Sequence, residues 1–467
     1  MLSLKPKIRP ALDPGFQPAA LWTRAYAALV AQDAGARPFA LVLARRDGTV
    51  FRHDGRVLSA QHPQAALTLT HVERLLKFLL WMKGGSRVLL AGADEVASAL
   101  ARIYAPGGAR AFDYEFMGPK VFGETFSVRA VSFAELPGEK ETSLPMGRHL
   151  EGCRIGFDLG GSDRKAAALI NGEVVFSEEI AWDPYFQKDP AYHLEGVHDS
   201  LQRAAAHLPR VDAIGGSAAG VYVNNEVRAA SLFRGVSTED FEKHVRRMFF
   251  TLQERWGGVP FEVVNDGEVT ALAGSMSMND NAVLGVSMGT SQAGGYVTPS
   301  GNITSWLNEL AFMPVDYRPD APRDEWSGDI GCGVQYFSQQ GVGRLAALAG
   351  FRFAPGLPLP EQLIEVQKAM AAGDPKARSV YEAIGDCFGY AIAHYADFYA
   401  VRNLLVLGRV TSGEGGEVIL ARAMAVLRAE FPVLADQIRL RTPDEKNKRH
   451  GQATAAASLP ALKSSAR

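Results

Sequence analysis

A chain of 467 residues is longer than one hydrophobic core usually serves, so two or three domains are expected. Hydrophobic residues are 47% and charged residues 21%, which excludes a disordered chain, and 49 Lys and Arg against 51 Asp and Glu argue against a general nucleic-acid-binding surface. Three dispersed cysteines (Cys153, Cys332, Cys387) exclude a disulfide scaffold and fit the cytoplasm, the N-terminus has no apolar signal core, and no window reaches the roughly 18–20 apolar residues of a membrane span.

Scattered prolines and alanine-rich helical stretches open the chain over residues 1–40. Residues 41–59 predict a hairpin, because Asp-Gly pairs form turns between short strands. Apolar residues at helical spacing predict a helix over 70–85 that stops at Gly84 and Gly85. A buried strand over 87–91 and the helix DEVASALARIYA follow. Residues 1–150 thus read as an accessory α/β region without a nucleotide fingerprint, and the polar, Pro- and Gly-rich run over 140–151 marks its end.

Beyond that boundary, residues 153–161 predict a strand entering a glycine turn, and residues 166–180 two strands joined at Asn171-Gly172. A helix over 191–208 precedes a strand ending in glycine over 211–220. A helix over 238–256 and a strand over 261–264 then deliver Asn265 and Asp266. Residues 283–297 predict two strands around a small-residue turn, and a long helix over 378–400 leads into an apolar strand and the glycine-rich run 408–416. His193, His198 and His207 are expected on a helix surface, and His394 inside a helix packing. Residues 447–467 offer little to bury and are expected to form a flexible tail.

Four segments carry candidate chemistry. In Asp158-Leu-Gly-Gly-Ser162, Gly160 and Gly161 permit a tight turn whose N–H groups can cradle phosphate, Ser162 adds a hydroxyl, and Asp158 can hold a hydrated magnesium ion. An ordinary hairpin with an Asx turn explains the same residues. Gly289-Thr290-Ser291-Gln292-Ala293-Gly294-Gly295 is a second such turn, and two turns can pinch a triphosphate, although close strand packing also selects small residues. Asn265-Asp266-Gly267-Glu268 stands at a strand end, where open α/β sheets present reactive groups. There Asp266 can take the proton of an attacking hydroxyl and Asn265 can bond its neighbour; a helix N-cap is the alternative. A helix opening at this point is expected to lower the pKa of Asp266 through its positive end. Gly408-Arg409-Val-Thr-Ser412-Gly413-Glu414-Gly415-Gly416 lets a flat purine approach the backbone, or is a surface loop.

In this order the segments over residues 152–440 resemble the actin-like ATPase and sugar-kinase superfamily, and within it the ROK family of repressors, open reading frames and kinases. The resemblance implies an α/β fold with a ribonuclease H-like, two-lobed kinase core. Its first lobe spans 151–265 and its second, with the nucleotide-binding segment, 266–446, between the accessory region 1–150 and the tail 447–467. It implies ATP and Mg2+ as cofactors, with Asp158 as the magnesium-site aspartate. Gly160, Gly161, Ser162, Gly289, Thr290 and Ser291 would line the phosphates, and Gly408 and Arg409 the adenosine. Asp266 would be the catalytic base, and Asn265 together with Ser217 of GGSAAGVYVNNEV would face the sugar.

The departures from that family are informative. Its zinc module, one histidine and three cysteines ending in GCxE, is reduced here to Cys332, and Val334 stands in place of the glutamate with Gln335 beside it. One thiol is not a structural zinc site, so no structural zinc is expected. The specificity loop is expected to be rebuilt from Trp306, Asn308, Glu309, Asp329 or Gln335. The leading expectation is an ATP-dependent kinase acting on a small sugar or polyol, without nucleic-acid or membrane partners, a homodimer being one assembly this allows. A sugar-responsive repressor would need a second, DNA-reading helix after Gly85, where a strand is expected instead. A catalytically idle sugar-binding protein is the third reading.

Overall fold

The computed structural model describes residues 2–141, 146–442 and 451–462. The region expected to be accessory contains α1 (Ala19–Gln32), β1 (Arg37–Ala44), β2 (Val50–Val57), α2 (Leu67–Lys83), β3 (Arg87–Ala91), α3 (Asp94–Ile103), α4 (Ala111–Glu115) and β4 (Ser127–Ala130). Its sheet runs β2-β1-β3-β4, with only β3 and β4 parallel. The expected hairpin turns at Gly48, whose φ of 88° suits glycine, while Asp47 accepts a hydrogen bond from the Thr49 amide at 2.9 Å. The second Asp-Gly pair is no turn: Gly55 lies inside β2, where a Cβ would meet the Phe39 ring at 2.5 Å.

Helix α2 buries charge as well as apolar surface. An amphipathic helix normally solvates its polar face, yet Glu73, Arg74 and Lys77 are all buried. Burying an unpaired ammonium costs several kcal/mol, and the fold compensates. Lys77 lies 2.6 Å from Asp113, which also accepts from the Trp81 indole at 2.6 Å, and 3.6 Å from Asp329. Asp329 also takes Arg110 at 2.6 Å and Arg74 at 3.3 Å, and Glu73 pairs with Arg74 at 2.5 Å and with Arg110 at 2.7 Å. The three cations and three carboxylates balance, and Asp329 ties the accessory region to a loop about 250 residues downstream.

The next segment contains β5 (Cys153–Leu159), β6 (Asp163–Ile170), β7 (Glu173–Ala181), α5 (Pro190–Ala205), β8 (Ala213–Ala218), β9 (Val221–Val223), β10 (Glu226–Ala229), α6 (Thr238–Asp240), α7 (Met248–Arg255), β11 (Phe261–Asn265) and α8 (Asp266–Met278). Strands β6 and β7 join at Asn171 and Gly172, both with positive φ, as a two-residue hairpin requires. The helix expected over 238–256 is interrupted by a π-helical turn at Phe241–Val245. His193 is buried, its Nε2 beside the carbonyls of Pro184 and Leu232, which corrects the surface placement expected for it. Then come β12 (Val283–Met288), β13 (Gln292–Val297), α9 (Gln339–Leu348), α10 (Leu359–Ala371), α11 (Pro375–Ala396), β14 (Asn403–Leu407), α12 (Glu414–Glu430), α13 (Pro432–Gln437), β15 (Arg439–Arg441) and α14 (Gly451–Ala457).

Two sheets repeat one plan. In the first, ordered β11-β8-β5-β6-β7, the antiparallel hairpin β5–β6 is extended by the parallel strands β8 and β11. In the second, ordered β13-β12-β14-β15, the hairpin β12–β13 is extended by the parallel strands β14 and β15. Each hairpin carries one of the two small-residue turns. Helix α8 leaves the edge of the first sheet and packs on the second through glycines: a Cβ at Gly295 would lie 2.0 Å from the Gly267 carbonyl oxygen.

The C-terminal segment is not a free tail where it is described. Residues 451–457 form α14, with Ala453, Ala455, Ala456 and Ala457 buried. Alanines allow this helix to lie directly on the first sheet: a Cβ at Gly156 would stand 1.8 Å from the Ala453 oxygen, and one at Gly215 1.7 Å from that of Ala456. The buried Arg154 side chain donates to the Pro460 carbonyl at 2.7 Å and secures the following turn. The remainder of the expected tail, 447–450 and 463–467, lies outside the described residues. No helix among the described residues is long and apolar enough to cross a membrane.

Candidate active site

The first turn joins β5 to β6, and the Gly160 amide donates to the Asp163 carbonyl at 2.9 Å to close it. Close approach rather than positive φ requires glycine here: a Cβ at Gly161 would stand 2.0 Å from the Tyr185 hydroxyl oxygen. Ser162 donates to the Asp163 carboxylate at 2.9 Å. Asp158, next to last in β5, is paired with Ser217 on β8, and the Ser217 hydroxyl donates to its Oδ1 at 2.5 Å. Ser217 is itself fully buried, so it orients the carboxylate. Burial raises the Asp158 pKa, against the lowering effects of Ser217 and of the Lys165 charge across the hairpin. Arg164 turns away to Asp199 at 2.7 Å.

Asn265 and Asp266 stand where β11 passes into α8, and the N-cap alternative is realised at Asn265. Asn265 is the N-cap: its Oδ1 accepts from the Gly267 amide at 2.7 Å, and its Nδ2 donates to the Gly220 carbonyl at 2.7 Å. One Nδ2 hydrogen remains for a ligand. Asp266 is the first helical residue, and its pKa is raised to about 6, first by burial and then by the negative charge of Asp158. The expected lowering by the helix end is thus outweighed, and Asp266 is a stronger base than its position on a helix suggested. Its charge also bears on Tyr222, whose hydroxyl is raised chiefly by burial and which donates to the Ala219 carbonyl at 3.2 Å.

Glu309 completes the group, its carboxylate pushed up to about 7 by burial and then by the Asp266 charge. The accessory region holds it in place. A helix end leaves its last carbonyls unpaired, and those of α2 are taken by this segment: the Glu309 amide donates to Trp81 at 3.0 Å, and those of Asn308 and Leu307 to Met82 at 3.1 and 2.9 Å. Asn308, by contrast, is buried with its amide committed, Nδ2 to Glu268 at 2.5 Å and Oδ1 to the Tyr399 hydroxyl at 2.8 Å. Burial pushes Glu268 up to about 8. Sequence reasoning missed Tyr222, although it lies in the GGSAAGVYVNNEV segment, and Tyr399 and the carbonyls of α2, which lie in no motif.

The second turn, 289–291, exposes Thr290 and Ser291, whose hydroxyls make no hydrogen bond to protein among the described residues. Gly289 faces open space, its nearest atom to an added Cβ being 3.8 Å away. Gly408, at φ 106°, packs on the same turn: a Cβ there would stand 2.4 Å from the Met288 carbonyl oxygen. The structure therefore brings Gly408 and the second turn together, while the Arg409 side chain is exposed. Gly415 and Gly416 belong to α12, packed against Tyr381 and Thr411, so the loop expected over 408–416 ends at Gly413. Gln335 is buried and donates to Gln340 at 2.6 Å. Cys332 is buried with its thiol raised by burial and by Asp329, so the loop that resembles a zinc module is anchored by the Asp329 ion network. Among the described residues no cluster of three or more His, Cys, Asp or Glu side chains could hold a metal ion. Asp158, with a single protein hydrogen bond, fits a magnesium ion that keeps most of its waters.

No family model matches the chain, and no curated protein matches its sequence. Solved structures do. A ROK hexokinase from Thermus thermophilus is 18% identical, with a TM-score of 0.52, over 66% of this chain and 98% of its own. A ROK family transcriptional regulator, a homolog of the E. coli MLC protein, is 19% identical, with a TM-score of 0.52, over 66% of this chain and 78% of its own. The chain has the fold these proteins share, the two-lobed actin-like ATPase fold expected from its motifs.

Proposed function

We propose that this chain is a ROK-family kinase that transfers the γ-phosphoryl group of ATP to a hydroxyl of a sugar or polyol. The observation carrying the reading is Asp266, a carboxylate raised to about 6 at the junction of the two sheets, beside Asp158. A base with a pKa near the working pH is mostly ionised yet still accepts a proton well. The substrate hydroxyl gives its proton to Asp266 as its oxygen bonds to the γ-phosphorus, and the bond from that phosphorus to the β,γ-bridging oxygen breaks, releasing ADP. Magnesium, when bound at Asp158, supplies positive charge beside the phosphate oxygens. The amides of the turns at 160–162 and 289–291, with the free hydroxyls of Thr290 and Ser291, would orient the phosphates, and Gly408 would leave room for the adenosine. Asn265 Nδ2 and Glu309 would orient the hydroxyls of the substrate.

Similarity to the hexokinase, nearly all of whose chain is matched, supports this reading. So does the accessory region, where α2 runs straight into β3 and not into a second helix suited to reading DNA. The lobe division at 151–265 and 266–446 and a cytoplasmic location belong to the same proposal. An ATP-consumption screen across aldoses, ketoses, amino sugars and polyols, with magnesium, tests it. Turnover with one substrate class is expected, abolished by omission of magnesium. No ATP turnover with any substrate, together with no calorimetric binding of a non-hydrolysable ATP analogue, would refute it.

A further inference from the structure

A cavity of about 400 Å³ lies between the accessory region and the β9–β10 hairpin, lined by Arg45, Arg46, Phe122, Glu226, Arg228 and Arg246 among others. Four arginines line it, with two carboxylate residues, Asp47 and Glu226. Glu226 pairs with Arg228 at 2.7 Å, and Glu242 with Arg246 at 2.5 Å, yet Nε of both arginines is buried without a hydrogen-bond partner. Buried donors of this kind are rare in native proteins, and each needs an explanation. Arg228 and Arg246 are close enough to repel, each holding only one carboxylate. Arg46 is exposed and makes no ion pair among the described residues. Arg45 is buried between the Phe51 and Phe122 rings and donates to carbonyls at the end of α2, so its charge has no carboxylate contact.

We propose that this cavity binds a phosphate-bearing small molecule, gripped by Arg46, Arg228 and Arg246 within the field of Arg45. A phosphate ester presents three acceptor oxygens and about two negative charges, which the two unused Nε donors and the unpaired Arg46 fork can share. A phosphate ester carries more acceptor oxygens and more charge than a single carboxylate and so matches more of these donors. None of the residues lining the cavity is a candidate active-site residue, but its walls are elements that frame that site. The β9–β10 hairpin follows Gly220, whose carbonyl holds Asn265, and the accessory region holds Glu309 through α2. A ligand here therefore clamps the two together.

Calorimetry on the intact, nucleotide-free protein tests this with glucose 6-phosphate, inorganic phosphate, gluconate and glucose as probes. We expect saturable binding of glucose 6-phosphate below about 1 mM. Inorganic phosphate should bind more weakly, and gluconate and glucose not at this site. Equal affinity for inorganic phosphate would make free phosphate the ligand, and preference for gluconate would overturn the phosphate assignment. The Arg228→Gln/Arg246→Gln variant should lose at least about 10-fold in affinity, the value of charge-assisted hydrogen bonds removed. Arg46→Ala, at an exposed position, should lose affinity without affecting folding. In wild-type protein, hydrogen exchange should slow at 45–48, 122–123 and 223–228 on ligand addition. No binding at 10 mM (about tenfold above the expected limit), unchanged affinity in the variants, or protection at 158–162 and 289–291 alone would overturn the proposal.

Discussion

Replacing Asp266 with asparagine separates its two roles. The carboxylate stands at about 6 in the folded chain against an ordinary 3.8. The folded state therefore binds this proton more tightly than the unfolded state, and the ionised group costs stability as pH rises through about 4 to 6. At about 1.4 kcal/mol per pH unit the cost reaches about 3 kcal/mol above pH 6 and vanishes below about pH 4. Asp266→Asn keeps the shape and removes the charge. The variant should be more stable than wild type by up to about 3 kcal/mol at pH 8 and equal to it near pH 4, as read from urea unfolding at both pH values. Its kcat should fall by about 10² to 10⁴, the scale of general acid–base catalysis, with little change in nucleotide affinity. In wild type, kcat should decline below pH 6, and Asp158→Asn should move that limb to lower pH because the repelling charge is gone. Near wild-type turnover in Asp266→Asn would reduce Asp266 to a helix residue, and a pH-independent stability difference would refute the electrostatic account.

Asp329→Ala leaves Arg74, Lys77 and Arg110 without their common carboxylate and should destabilise the protein by about 3–5 kcal/mol, measured by urea unfolding. Unchanged stability would mean that water reaches the network. Gly156→Ala should displace α14 from the first sheet, because the clash is with backbone, at a cost of about 1–3 kcal/mol. Limited proteolysis should then cut within residues 451–460 in the variant, and an unchanged digestion pattern would contradict the packing.

The hairpins were legible because their turns are written in Asn171-Gly172 and the small-residue runs, and the fold was implied by the resemblance of the ordered motif segments to a known family. Other features left weaker signals. The charges of α2 give no sign of their burial in the sequence, since their partners lie on other elements. The docked C-terminal helix had a signal in Gly156 and Gly215, glycines inside buried strands, which mark close backbone approach. The alanines at 453–457 looked like a tail with nothing to bury, when their small size is what lets the helix approach. The expected direction for Asp266 failed because the helix end is a local effect, whereas its burial and the Asp158 charge depend on tertiary structure. Asn308 was read as a polar residue free for substrate, but its amide holds Glu268 and Tyr399 together.

The ion network around Lys77 also sets the order in which the protein can be finished. Lys77 is fully buried, and one of its carboxylates is supplied about 250 residues later. At a synthesis rate of about 5–20 residues per second, roughly 10–50 s separate the two on the ribosome. During that interval Arg74 and Arg110 cannot enter their native, dehydrated positions, because Asp329 does not yet exist. The nascent accessory region must therefore hold this face of α2 wet and open, which makes the first-made part of the protein among the last to close.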